Sequence, residues 1–87
     1  MADSTFFAQI LTPEGTLFEG DVTSIKVPGT NGTFQILTRH AAILSSLEPG
    51  DVEVKQSSTS HKFSISGGFV EMSQNRLTLI AESVSGE

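Results

Sequence analysis

Apolar residues along this chain recur at every second position in short runs, and Gly, Pro or Asn interrupts each run after about eight residues, the pattern of short half-buried strands. Thr5 to Thr12 carries Phe6, Ala8 and Ile10 on one side and Phe7 and Leu11 on the other, which predicts a strand covered on both faces, and Leu17 and Phe18 follow it. Val22 to Val27 sets Ile25 and Val27 against Ser24 and Lys26, and Val52 to Gln56 sets Val52 and Val54 against Asp51, Glu53 and Lys55. Both read as one-sided strands. Phe63 and Ile65 alternate with Lys62, Ser64 and Ser66, and after a glycine pair Phe69 alternates with Val70, then Leu77 and Leu79 with Thr78. In Ala41 to Leu47 the spacing of Ala41, Leu44 and Leu47 also fits a helical turn, but the segment is short, and we read it as a strand.

Turn signals separate these runs: Pro13-Glu14-Gly15, Glu19-Gly20-Asp21, Pro28 to Gly32, Glu48-Pro49-Gly50, Ser57 to Ser60, Gly67-Gly68 and Gln74-Asn75. Asn31-Gly32 predicts a tight hairpin. Gln56 to Ser60 predicts a mobile polar hairpin tip. Ser66-Gly67-Gly68-Phe69-Val70-Glu71-Met72 predicts a corner without side chains, where glycine reaches positive φ and lets another strand or a partner's backbone come close. The fold expected is all-β: a two-sheet antiparallel sandwich, or flattened barrel, of about ten short strands in a single domain over residues 1–87.

At 87 residues the chain buries roughly 60–65% of its unfolded surface, and stability on the order of 4–13 kcal/mol is expected. The absence of cysteine removes disulfides and thiolate metal sites. Ten acidic against five basic residues, a net charge of −5 with the bases scattered singly, argue against a nucleic-acid partner. No apolar run approaches the roughly 20 residues that span a bilayer, and Met1-Ala2-Asp3-Ser4 lacks the basic start of a secretion signal.

Candidate chemistry is sparse. The two histidines, His40 and His61, lie in separate segments and neither stands in a nucleophile-elbow motif. His61 shares the register of Phe63 and Ile65 and reads as a half-buried strand residue. No metal spacing is present, and Glu14, Glu19, Asp21, Glu48 and Asp51 flank turns as a solvated rim. Gly29-Thr30-Asn31-Gly32 lacks the Lys-Ser or Lys-Thr of a phosphate cradle, and Asn31-Gly32-Thr33 matches the glycosylation pattern only as a common chance motif. No cofactor, metal or catalytic residue is assigned. A carbohydrate- or peptide-binding sandwich would display exposed Trp or Tyr, which are absent, with the six Phe mostly in core-like registers; a small hydrolase would need His40 or His61 in a polar cleft.

The ordered string Thr12-Pro13-Glu14-Gly15, Phe18-Glu19-Gly20, Val27-Pro28-Gly29, Gly32 to Ala41, Leu47-Glu48-Pro49-Gly50, Ser66 to Glu71 and Leu79 to Glu82 resembles the amino-terminal domain of the epsilon subunit of the rotary F-type ATP synthase. The resemblance covers about Phe6 to Glu82. It implies a sandwich of two five-stranded sheets in the central stalk, a non-catalytic rotor part bound to the gamma subunit and to the polar loops of the c ring. Ion translocation and ATP synthesis are coupled through such a part, which reaches the membrane only through the complex, at the cytoplasmic face of a bacterial inner membrane or its organellar equivalent. Carried over residue by residue, the resemblance implies that Thr30, Asn31, Gly32 and Thr33 meet the c ring. Thr12, His40, Ser45, Ser66, Gly67 and Gly68 are then expected to lie toward gamma.

This chain departs from the family pattern Gly-Ile-Leu-Pro-Gly-His-Ala-Pro, reading Gln35-Ile36-Leu37-Thr38-Arg39-His40-Ala41-Ala42. Losing two prolines and two glycines frees backbone angles and restores N–H donors, so the loop before His40 is expected to be looser or differently hydrogen-bonded. Where many relatives carry an acid near the hairpin tip this chain has Thr33, which predicts a neutral hydrogen-bonded contact to the c ring instead of an ionic one. Relatives commonly continue into two inhibitory helices. Here the sequence stops at Ser83-Val84-Ser85-Gly86-Glu87, and no inhibition or ATP binding through such an arm is expected.

Overall fold

The computed structural model describes residues 5–39 and 41–85, and among these it contains strands and turns only. The strands are β1 (Phe6–Thr12), β2 (Gly15–Val22), β3 (Ser24–Gly29), β4 (Gly32–Leu37), β5 (Ile43–Leu47), β6 (Gly50–Lys55), β7 (Ser60–Ile65), β8 (Gly68–Ser73), β9 (Arg76–Ala81) and β10 (Val84–Ser85). They form one continuous ladder in the order β10-β7-β6-β3-β5-β8-β9-β1-β2, with β4 on the other side of β3. At its centre β3 touches β5 through a single register pair, Gly29↔Leu47. The ladder therefore folds over into two five-stranded halves, β4-β3-β6-β7-β10 and β5-β8-β9-β1-β2, the two-sheet sandwich expected from the sequence. The short run 41–47, ambiguous in sequence, contains strand β5.

Period-two patterning places the core. Phe6, Ala8 and Ile10 of β1, Ile25 and Val27 of β3, Val52 and Val54 of β6, Val70 and Met72 of β8, and Leu77 and Leu79 of β9 are all buried in one cluster between the halves. Hydrophobic burial at about 25 cal/mol per Å² of apolar surface is the main force closing the sandwich. One-sided β3 and β6 follow the alternation, with one exception: Ser24, on the outward register, is only 6% exposed because it lies in the ladder between Leu37 of β4 and Lys55 of β6.

Three features depart from the sequence reading. Glu19-Gly20-Asp21 is not a turn but the body of β2, paired residue for residue with Gln9, Ala8 and Phe7. Gly20 keeps the edge strand extended, and the chain turns only at Thr23, where the backbone N–H and hydroxyl both donate to the Lys55 carbonyl, at 2.7 and 3.0 Å. The sandwich is also not wholly antiparallel, since β1 runs parallel to β9 from Phe7↔Arg76 to Leu11↔Ile80. The two strands come from opposite ends of the chain, so no hairpin dictates their direction. Finally, the Gln56 to Ser60 tip is fixed at its base. Gln56 N–H donates to Thr59 O at 2.8 Å, and its side-chain Nε2 donates to the Asp21 carbonyl at 3.0 Å.

Candidate docking surfaces

The double-glycine corner begins where β7 ends. Gly67 and Gly68 take φ of +134° and +156°, and Ser66 and Gly67 hydrogen-bond across to the segment after β9: Ser66 N–H to Ser83 O and Glu82 N–H to Gly67 O, both 3.2 Å, and Ser83 Oγ to Ser66 Oγ, 3.0 Å. The space a side chain would take at Gly68 is already filled. A Cβ there would fall on the Ile80 carbonyl oxygen and lie 3.0 Å from the Ala81 Cα. The close approach expected at this corner is thus met by the chain's own β9, and the expectation that it serves a partner's backbone is not needed to explain Gly68. At Gly67 the nearest atom is the Leu47 carbonyl oxygen at 3.5 Å.

Thr12 stands at the same end of the molecule. Its hydroxyl donates to Gly15 O and accepts from Glu14 N–H, each at 3.1 Å, closing the turn between β1 and β2. Thr12, Pro13, Glu14 and Leu17 line a cleft of about 280 Å³ with Glu82, Ser83 and Val84. Through Ser83 this cleft adjoins the Ser66–Gly68 corner, so four of the residues expected to lie toward gamma gather at one end of the molecule, with Ser66 exposed, Thr12 and Gly68 half-buried and Gly67 buried. Ser45 lies apart from them. Its hydroxyl donates to Ser46 O at 3.0 Å, and it lines a cleft of about 320 Å³ with Gly29, Asn31, Gly32, Thr33, Phe34 and Ile43. Ser45, expected to lie toward gamma, therefore stands beside the Thr30–Thr33 tip and apart from the corner. His40 lies outside the described residues.

The tip of that hairpin differs from the turn Asn-Gly predicts. Gly29 pairs with Gly32, leaving Thr30 and Asn31 as the two-residue loop, and neither has positive φ; Gly32 alone does, at +123°. Thr30, Asn31, Gly32 and Thr33 are all exposed. On the far side of the hairpin Lys26, Glu48, Asp51 and Glu53 rim a shallow groove of about 520 Å³. His61 is half-buried, as its register implies, packed against the rings of Phe18 and Phe63 at 5.5 and 6.4 Å, its Nε2 3.4 Å from Gln56 Oε1. Among the described residues no cluster of three or more His, Cys, Asp or Glu side chains is placed to hold a metal ion.

The loop that departs from the family pattern is held by hydrogen bonds to two distant segments. Arg39, where the pattern has Gly, keeps a positive φ of 60°. Its N–H donates to Asn75 Oδ1 at 2.7 Å, and the Thr38 hydroxyl donates to Thr5 O at 3.0 Å. Asn75 Nδ2 donates to the same Thr5 carbonyl at 3.2 Å, so one asparagine joins three distant segments. A left-handed conformation strains a residue with a Cβ by roughly 1–2 kcal/mol. Arg39→Gly is expected to stabilise the protein by about 0.5–1 kcal/mol after the added unfolded-state freedom of glycine, read as a rise in the urea midpoint. A fall in the midpoint would show the arginine side chain contributing more than its backbone costs.

One further feature was not legible in sequence, and a second was legible but misread. Asn75 reads only as a turn former, and nothing in its neighbours marks the bridging role. Phe69 is 56% exposed instead of core-facing, in a row with Ile80, its direct partner in the ladder. The alternation itself carried the signal: once Val70 and Met72 face inward, Phe69 must face out.

These surfaces and this fold define a small docking sandwich, with its chemistry on exposed turns and sheet faces. Comparison with known proteins narrows the class. A family model for the ATP synthase Delta/Epsilon chain beta-sandwich domain matches residues 5–86. The chain is 41% identical over 85 residues to the ATP synthase epsilon chain of Chlorobaculum tepidum and 42% identical over 85 to that of Chlorobium limicola, covering 97% of each protein and of itself. Against the epsilon chain of a Nitratiruptor species it is 39% identical over 79 residues, which span 61% of that protein. Its fold is that of chains in the mitochondrial ATP synthases of Tetrahymena thermophila (central stalk and c-ring structure, TM-score 0.82) and Euglena gracilis (TM-score 0.90), each at 18% identity. It covers 65% and 56% of those chains, with 92% and 99% of its own length. The chain belongs to the ATP synthase delta/epsilon family and is its β-sandwich domain.

Proposed function

We propose that this protein is a non-catalytic rotor subunit of an F-type ATP synthase, linking gamma to the polar loops of the c ring. It thereby couples ion flow to ATP synthesis at the cytoplasmic face of a bacterial membrane. The observation that carries the reading is the family membership together with near full-length similarity to bacterial epsilon chains. The structure supports it physically. A part that transmits torque must not shear, and here every strand is hydrogen-bonded into one ladder around a close-packed core.

Two exposed regions offer separate contacts. Exposed Ser66 and half-buried Thr12 and Gly68, with Gly67 buried beneath them, present one to gamma, and the tip from Thr30 to Thr33 presents the other to the c ring, with Ser45 beside the tip. His40 keeps its gamma assignment from the resemblance alone. The tip carries hydroxyl and amide groups without a charge, so its contact is hydrogen-bonded and only weakly dependent on salt.

The test is binding of the purified protein to the gamma subunit and to the c ring of its own synthase. Ser66→Arg or Thr12→Arg is expected to weaken gamma binding about tenfold or more, leaving the c ring unaffected. Asn31→Arg should do the reverse. Failure of the unaltered protein to bind gamma, or equal effects of all three variants on both partners, would remove this reading.

A further inference from the structure

The chain has two asparagines, Asn31 and Asn75, in opposite surroundings. Asn75 is half-buried and both ends of its amide are engaged: Oδ1 accepts the Arg39 N–H at 2.7 Å, Nδ2 donates to Thr5 O at 3.2 Å, and the bulky Arg76 follows it. Asn31 is exposed at the tip between β3 and β4, makes no side-chain hydrogen bond among the described residues, and precedes Gly32.

An asparagine before a glycine is the pairing in which a carboxamide reacts most readily with its own backbone. The reaction closes a ring between the asparagine Cγ and the next residue's nitrogen, and a side chain on that next residue obstructs it. Gly32 offers no obstruction: its φ is +123°, and the place a Cβ would take is open, with nothing within 4 Å. Asn31 and Gly32 both line the open cleft of about 320 Å³, so water reaches them. Turning Asn31 toward ring closure also disturbs little of the ladder. Beneath the Thr30–Asn31 loop lie only the pairs Gly29↔Gly32 and Pro28↔Thr33, and Pro28 has no N–H to give.

We propose that Asn31 is a self-modification site, through which the unassembled protein converts its own hairpin tip from neutral to acidic. The Gly32 backbone nitrogen gives up its proton and bonds to Asn31 Cγ; the bond from Cγ to Nδ2 breaks, and Nδ2 leaves as ammonia. Water then opens the resulting succinimide at either carbonyl, giving aspartate or isoaspartate. No oxidant, reductant or cofactor takes part. The product places a carboxylate on a tip whose residues 30–33 carry no charge, beside a groove rimmed by Lys26 and by Glu48, Asp51 and Glu53. Its consequence rests on the reading that this tip meets the c ring: the altered subunit makes that contact through a charge, so the contact becomes strongly salt-dependent. A tip seated on its partner is held in one geometry and shielded from water, which confines the change to subunits waiting outside the complex.

The test incubates the purified 87-residue protein in mildly alkaline buffer beside a short synthetic peptide containing Thr30-Asn31-Gly32-Thr33, and follows both by ion exchange, peptide mass mapping and enzymatic methylation of isoaspartate. A progressive acidic shift is expected, mapping to Asn31, with Asn75 unchanged. Asn31→Gln, whose longer side chain closes the ring poorly, should hold the protein in one charge form, and Gly32→Ala should slow the shift about tenfold. An intact Asn31 in the protein after the peptide has converted, or conversion of Asn75 at the same rate, overturns the proposal. Asn31→Asp, a fixed form of the product, is then bound to the c ring across a range of salt. A steeper salt dependence than that of the fresh unaltered protein is expected, and an identical one overturns the consequence drawn for the contact. Failure of the fresh protein to bind the c ring at all removes the partner reading instead, while the mass map still decides the chemistry at Asn31.

Discussion

Gly68→Ala is expected to be the most damaging single-methyl change this chain can suffer, with a loss of about 3–5 kcal/mol, a large share of a total stability on the order of 4–13 kcal/mol. The added Cβ would occupy the position of the Ile80 carbonyl oxygen and press on the Ile80 carbonyl carbon and the Ala81 Cα, both at 3.0 Å. These are backbone atoms, so no side-chain rotamer relieves the clash. Separating them means opening the β8–β9 ladder at Gly68↔Ala81 and Phe69↔Ile80, beside the buried Val70 and Leu79. Gly67→Ala is the internal control. It meets only the Leu47 carbonyl at an ordinary 3.5 Å, and its cost is backbone strain at φ +134°, about 1–3 kcal/mol. Urea denaturation of the two variants side by side decides the matter. If Gly67→Ala proves the more destabilising, the corner is governed by backbone angle and not by the approach of β9.

That ranking also marks how far the sequence reaches. The glycine pair announces a corner, but which glycine is indispensable depends on a strand that arrives after β8 and packs its backbone against one Cα and not the other. Nothing local in Ser66-Gly67-Gly68 distinguishes them. The same limit hid the parallel β1–β9 pair. Alternation tells which side of Phe6-Phe7-Ala8 is buried, because burial is a property of each position, whereas strand direction is a property of two segments at opposite ends of the chain. The β2 error has the opposite cause: Gly20 flanked by two acids has turn composition, and the pairing of Ala8 with Gly20 overrode it.

The candidate surfaces were legible in part. Exposed turns such as Thr30 to Thr33 follow from composition, and the family resemblance attached partners to them. What composition could not do was group residues in space. Thr12 joins Ser66 through Ser83, and Ser45 joins the hairpin tip, because the ladder folds over at Gly29↔Leu47 and brings the ends of separate strands together. Phe69 is the sharper case. It sits in a run that reads as core, yet strict period-two geometry turns it outward, where it is 56% exposed.

Asn75→Ala is the second large effect expected, about 2–3 kcal/mol, and it separates two contributions of one residue. The backbone contribution comes from the turn joining β8 to β9, where Gln74 and Asn75 take φ of 53° and 60°, the paired left-handed geometry of a two-residue hairpin that asparagine tolerates and alanine resists by roughly 1 kcal/mol. The side-chain contribution is long-range: Oδ1 accepts the Arg39 N–H at 2.7 Å and Nδ2 donates to Thr5 O at 3.2 Å, each worth about 1 kcal/mol net. Asn75→Gly removes the bonds but relieves the angle, so it should recover roughly a third of the loss. Asn75→Asp keeps the acceptor for Arg39 and abolishes the donor to Thr5, and it should fall between wild type and alanine. Hydrogen exchange at the Arg39 amide gives an independent reading, with protection lost in the alanine and glycine variants and kept in the aspartate one. Equal destabilisation by alanine and glycine would eliminate the backbone contribution. An unprotected Arg39 amide in Asn75→Asp would eliminate the bridge, and with it the account of how this chain holds its 38–39 turn without the proline and glycine of the family pattern.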